Sequence, residues 1–319
     1  MNILGQFCFN RSGKIPAAVA AGGYDNLNNW PSAVNRPTNT STMSWIGPVG
    51  GGASTANDVS QSRVLTPSGT VTSSADGQII EGLDITGRLN VFNPSCLVRQ
   101  CRIRINAGTA LGDFGNALNV DGAGSVIEDC VIGATVIDHQ NGISMGWTAV
   151  DTDPRVILRR CHIFGFDNFI VSGSNFDVID CWFHQATYPA GDSDMMELYG
   201  NPPTGHSDGV VIRHNTFDGQ DKSGGFLNAG VNMTDLAGPI GDVHPIQLDN
   251  NAFLGTFDNI AICDGVRNGH SVSFTATNNG FYNCAFRLGE GTCTPNSGNF
   301  VMANQTAISG SLCNGTGII

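Results

Sequence analysis

The stretch VVIRHNTFDG, Val210 to Gly219, decides how the chain is read. Val210, Val211 and Ile212 are apolar and Arg213 is polar, then after His214 come Asn215, one more residue and Phe217. The same phrase returns as IQLDNNAFLG, Ile246 to Gly255. It is already present upstream as VILRRCHIFG, Val156 to Gly165, and SVIEDCVIG, Ser125 to Gly133. Alternation over so few residues marks a short strand, and an Asn or Cys at a fixed place after it marks a corner.

Aligned on that corner, the chain gives Cys101, Cys130, Cys161, Cys181, Asn215, Asn251 and Asn279, separated by 29, 31, 20, 34, 36 and 28 residues. Recurrence at such intervals is the signature of a solenoid. A second short apolar stretch precedes each corner motif, as in ALNVDG (Ala117 to Gly122), FIVSG (Phe169 to Gly173) and FLNAG (Phe226 to Gly230). Each unit therefore reads as strand, turn, strand, tight corner and third strand. Strands this short bury no face alone but do so when stacked rung on rung. That is a parallel β-helix, in which equivalent residues sit about 4.8 Å apart along the axis. An Asn at an inward corner donates and accepts amide hydrogen bonds along the stack, and a Cys there is small and tolerates burial. The seven residues are expected on one corner, in about seven or eight coils spanning roughly 35 to 40 Å.

Composition agrees with an all-β chain. Of 319 residues 42 are glycine, only 13% are charged, and no segment holds a helical apolar period over three turns. The net charge of −12, with lysine only at Lys14 and Lys222, argues against nucleic acid and anionic membranes as partners, and no apolar run approaches a membrane span. Ten cysteines without a C-x-x-C pair argue against structural zinc. They are expected as free thiols, although stacked cysteines at this rise fall within disulfide reach. The N-terminus has no continuous apolar h-region, so no secretory signal is expected, and N-x-S/T triplets such as those at Asn39 and Asn232 are read as chance.

The spacing and the N-x-F ladder over roughly residues 75 to 300 resemble the right-handed parallel β-helix repeat family, which includes pectate-lyase-like enzymes and the spikes of tailed bacteriophages. The resemblance implies a right-handed, single-stranded β-helix. It also implies a homotrimer within a virion assembled in the bacterial cytoplasm. Fold alone does not name an activity. Residues 1 to 75, rich in Pro, Gly, Asn, Ser and Thr and free of the motif, read as an irregular arm that attaches to other virion proteins and caps the first coil, with Val64 to Thr72 as the cap. Residues 76 to 319 read as the β-helix domain.

The intervals of 34 and 36 residues leave extra chain between Cys181 and Asn251, and long loops on a rigid scaffold carry function. These insertions gather Asp192, Asp194, Glu197, His206 and Asp208 as candidate catalytic groups. Tyr188 and Tyr199 are candidate stacking surfaces for sugar rings, and Asp218, Asp221 and Lys222 complete the candidate substrate contacts. A glycosidase needs two carboxyl groups about 5 to 9.5 Å apart, which Glu197 with Asp192, Asp194 or Asp208 would supply. His206 with Asp208 would make a base and its orienting acid. Asp in D-G and D-x-D loops equally serves to cap turns. A polyuronate lyase would want cations near the substrate carboxylate, and beyond residue 75 the only lysine is Lys222. Arg99, Arg102, Arg104, Arg159 and Arg160 gather on early coils at positions expected to face solvent. No metal site and no cofactor is expected. The leading expectation is a virion spike or tail fibre that engages host surface polysaccharide. A polysaccharide depolymerase, hydrolase or lyase, on the same scaffold and a purely structural virion component are the alternatives.

Overall fold

The computed structural model describes residues 65–105, 115–134, 141–146, 153–173, 175–184, 186, 194–199, 207–218, 227–234, 243–254, 257–263, 272–282, 285–286, 292–297, 299–301, 306–307 and 317–318. The attachment arm expected before residue 65 lies outside them. Within them the chain contains strands and no helix. It is a right-handed parallel β-helix with three parallel sheets.

Each coil contributes one strand to each sheet, in the order A, B, C. The first coil is Thr66–Ser68, Val71–Thr72 and Ile79–Glu81. Eight coils carry all three strands, the eighth ending at Val272–Thr277. Thr66 to Ser68 pair in parallel with Leu83 to Ile85, so the segment read as a cap already supplies the first rung. At the far end Phe300–Val301 takes an antiparallel partner, Thr306–Ala307, which ends sheet A.

Alternation decides what faces in. In sheet A, Ile85, Ile103, Ile132, Ile163, Phe183, Phe217 and Phe253 form one inward row, all fully buried. The rings of Phe183, Phe217 and Phe253 stack 4.9 Å apart with interplanar angles of 10° and 14°. Sheet B contributes Leu89, Leu118, Ile143, Ile170, Met196 and Val231, and sheet C contributes Ile80, Val98, Ile127, Leu158, Val178, Ile212 and Leu248. Stacking places like on like, so a row tolerates gradual change of residue but not a polar intruder.

The corner between sheets C and A explains the repeated motif. Its turn is a single left-handed residue: Gln100, Asp129, Arg160, Asp180, His214, Asn250 and Asn278 all have φ between 52° and 59°. Asp and Asn tolerate this conformation at low cost. Arg160 and His214 gain compensation from the coil before: Arg160 Nε donates to Asp129 Oδ1 at 2.8 Å, and His214 Nδ1 bonds Asp180 Oδ1.

The next residue turns inward, and all seven expected ladder residues do so on this one corner. Asn215, Asn251 and Asn279 each donate from Nδ2, at 2.9 Å, to a carbonyl of the preceding coil: Val178, Ile212 and Leu248. Their Oδ1 atoms accept the backbone N–H of Cys181, Asn215 and Asn251, at 2.8 to 3.0 Å. Asn299 extends the column, accepting from Asn279 N at 2.9 Å and donating to the Ala276 carbonyl. The motif search missed it because Phe follows it directly.

Thiols occupy the same role. Cys130, Cys161 and Cys181 point Sγ at the carbonyls of Val98, Ile127 and Leu158, each three residues before the previous rung's cysteine, at 4.0, 3.8 and 3.8 Å. The described cysteines Cys96, Cys101, Cys130, Cys161 and Cys181 are free and buried. The neighbouring Cys130 thiol and burial push Cys101 far above the usual thiol range, and burial pushes Cys130 and Cys161 the same way. Two results follow. Alkylation of the native protein at pH 8 should leave these thiols unmodified, while denaturation without reductant should release them all to the reagent. Because the folded thiols hold their protons where the unfolded ones lose them, stability is complete below about pH 8.5 and falls above it, by up to about 1.4 kcal/mol per pH unit for each such thiol. A flat unfolding midpoint from pH 8 to 10 would contradict this.

The early arginines do face outward, but as members of ion-pair ladders. Arg102 and Arg104 both reach the buried Asp84, at 2.6 and 2.9 Å. Arg159 and Arg160 both reach Glu128, at 2.6 and 2.9 Å. Burial alone would raise the Glu128 carboxyl, yet these two guanidinium groups hold it below the usual carboxylate range.

Candidate functional site

The three outward faces differ in chemistry. On sheet A, the outer side of the fourth to sixth coils is aromatic and closed. His162, Phe164, Trp182 and His184 are all buried, and His162 Nε2 bonds His184 Nε2. Trp182 stacks on His162 and His184 with ring centres 4.6 and 4.1 Å apart. Phe164 lies over Gly133, where a Cβ would stand 2.3 Å from the ring, so only glycine fits beneath it. Buried rings offer no platform to a sugar.

Sheet C carries the row Glu81, Arg99, Glu128 and Arg159, while Asp84 with Arg102 and Arg104 lies on sheet A. Sheet B carries a largely uncharged row. Register sets Thr72, Asn90, Asn119, Ser144, Val171, Glu197 and Asn232 in one outward row, a residue per coil. Its first rungs bond to one another: Asn90 Nδ2 donates to Thr72 Oγ1 at 3.2 Å, and Asn119 Nδ2 to Asn90 Oδ1 at 2.7 Å.

Farther along this face two of the expected carboxylates meet. The segment DMMELY, read as loop, forms the strand Asp194–Tyr199 of sheet B because it pairs with Ile170–Ser172 on one side and Leu227–Thr234 on the other. Asn168 holds its start: Asn168 Oδ1 accepts the Asp194 backbone N–H at 2.9 Å, and Asn168 Nδ2 donates to Glu197 Oε2 at 3.2 Å. From the next coil Asn232 Nδ2 donates to Asp194 Oδ2 at 2.8 Å. Asp194 is only 2% exposed, whereas Glu197 reaches solvent. The Oδ1 of Asn232, itself 6% exposed, accepts no hydrogen bond among the described residues, which leaves an acceptor beside the pair.

The remaining candidates scatter over the coils. Tyr199 ends the same strand, Asp208 lies in the sheet C strand Ser207–Arg213, and Asp218 ends the sheet A strand Thr216–Asp218. The described candidates thus occupy all three sheets, and the site that forms is the Asp194–Glu197 segment with two asparagines. Tyr188, Asp192, His206, Asp221 and Lys222 lie outside the described residues. Asn168 and Asn232 went unselected. Laying FIVSG, MELYG and GVNMT in register would have put Asn232 beside Glu197; Asn168, which precedes its strand, gives no comparable signal.

A glycosidase acid must reach the bond between two carboxyl groups. Asp194 is sealed and engaged by the equally buried Asn232, while Glu197 and, on the earlier coils, Thr72, Asn90 and Asn119 reach solvent with groups suited to hydroxyls. No family model, curated protein or solved structure matches the chain.

Proposed function

We propose that the chain is a glycan-binding β-helix that engages host surface polysaccharide as part of a virion spike or fibre, and that sheet B carries the binding face. The observation behind this reading is the cluster of Glu197, Asn232 and Asn168 around the buried Asp194, continuing a row that begins with Thr72, Asn90, Asn119 and Ser144. A polyhydroxylated chain laid along the axis meets a hydrogen-bonding rung on each coil of the row except the fifth, where Val171 stands. A rigid scaffold spends little conformational entropy on holding those rungs in place. The virion setting comes from the family resemblance and from the composition of the first 75 residues.

Binding to purified host polysaccharides, with simultaneous assay of new reducing ends and unsaturated products, tests the reading. Glu197→Gln should weaken binding by no more than about tenfold, the worth of one modest hydrogen-bond difference, with no product from either protein. If instead product appears and Glu197→Gln lowers its rate by about 10²–10⁴-fold, the chain is a depolymerase. Tyr199→Ala should also weaken binding if that ring stacks on a sugar.

A further inference from the structure

Sheet C holds a feature that glycan binding does not use. Its outward side over the first four coils carries two parallel rows. One is apolar: Ile79, Leu97, Val126 and Ile157, in register on successive coils. Ile79 is 58% exposed and the other three are half-buried. Two residues along each strand runs the second row, Glu81, Arg99, Glu128 and Arg159, alternating in charge. In the fifth coil Asp177 interrupts the apolar row, where Arg155 Nε donates to it at 2.7 Å. A solvated sheet face should alternate inward apolar with outward polar residues. A four-coil apolar stripe beside a charged one is the pattern of a contact surface.

The charge order identifies the occupant. Read forwards, the row is acid, base, acid, base; read backwards, it is base, acid, base, acid. A second copy turned about a two-fold axis lying in the contact plane, parallel to the strands, keeps each row opposite itself and reverses the order of coils. Ile79 then faces Ile157 of the second copy and Leu97 faces Val126. Glu81 meets Arg159, and Arg99 meets Glu128. Every charge finds its opposite, and the apolar stripe covers itself. A two-fold axis along the coils instead sets like charges against each other or the charged row on the apolar one. Pairs within the chain already fix the charged ends, Arg99 to Glu81 at 2.5 Å and Arg159 to Glu128 at 2.6 Å, so docking orders few new side chains. Isologous contacts of this kind close after two copies.

We infer that this face of sheet C is a self-association surface on which a second copy of the chain docks with its coils antiparallel. The pairing differs from the three-fold assembly implied by the family resemblance, and it stands apart from the glycan reading.

Sedimentation and light scattering of the full chain over a range of concentrations test it without any glycan. The expected result is a monomer–dimer equilibrium that Val126→Arg abolishes, with the far-ultraviolet spectrum and melting point of that outward-facing variant unchanged. The second variant reverses the whole ladder, E81R/R99E/E128R/R159E. It keeps the order alternating and should form dimers with itself, yet none with differently tagged wild-type chain, because like charges would then oppose. A chain monomeric at every concentration, a trimer indifferent to Val126→Arg, or free mixing of wild-type and reversed chains would overturn the inference.

Discussion

Asn251→Leu is expected to lower stability by about 3–5 kcal/mol, since each buried hydrogen-bonding group left without a partner costs about 1–3 kcal/mol. The side chain makes four bonds at once. Its Oδ1 accepts from the Asn215 backbone and from Asn215 Nδ2, at 3.0 and 3.1 Å, and its Nδ2 donates to the Ile212 carbonyl and to Asn279 Oδ1, at 2.9 and 3.0 Å. Leucine keeps the volume and removes all four, in a place no water reaches, because Asn215, Asn251 and Asn279 are buried together. Chemical denaturation measures the loss. Asn251→Cys is the informative companion. A thiol at this corner still addresses the carbonyl of the coil before, as Cys161 and Cys181 do. It should cost about half as much, the Asn215 N–H being the principal group left without its acceptor. Equal midpoints for wild type and Asn251→Leu would mean that the amide column contributes nothing to stability.

Phe217→Ala should be comparably damaging, at about 3–5 kcal/mol, the usual range for removing a fully buried ring. Phe217 is the middle of three stacked rings, each neighbour 4.9 Å away. Its loss opens a cavity that the coils above and below cannot close, because their spacing is fixed by backbone hydrogen bonds on all three sheets. Phe217→Leu should cost only about 1–2 kcal/mol, since earlier coils fill the same row with Ile163 and Ile132. If the two variants were equally stable, the row would be packed loosely enough to refill the space.

Much of this architecture was legible before any coordinates. The corner ladder, the three strands per coil and the inward apolar rows follow from a motif repeated seven times, because each coil must satisfy the same neighbours as the one before. Local pattern and global fold then make the same demand at every turn. The thiols of the early coils and the amides of the later ones were readable as one column, since both fit a buried inward corner; that the thiols also address a carbonyl of the coil before is seen only in the structure.

The site was legible only in part. Asp194 and Glu197 were selected, but as loop residues, because DSDMMELY looks like turn chemistry until its partners on both sides are known. Unequal intervals hide register: with 20 residues between one pair of corners and 36 between another, the sequence does not say where the extra residues leave the coil. Register alone brings Asn232 to Asp194 across 38 positions and Asn168 to Glu197 across 29. Burial is likewise invisible in a two-residue period. Trp182 and His184 sit at outward positions and are buried, while Ile79 sits at one and is exposed. The repeating coil, its corner chemistry and its inward rows can be read from the amino-acid order, since these interactions recur between adjacent rungs. Which polar residues share a face, how deeply each carboxylate is sealed and which outward row is left apolar emerge only in the folded chain, because they depend on how separate coils are set in register.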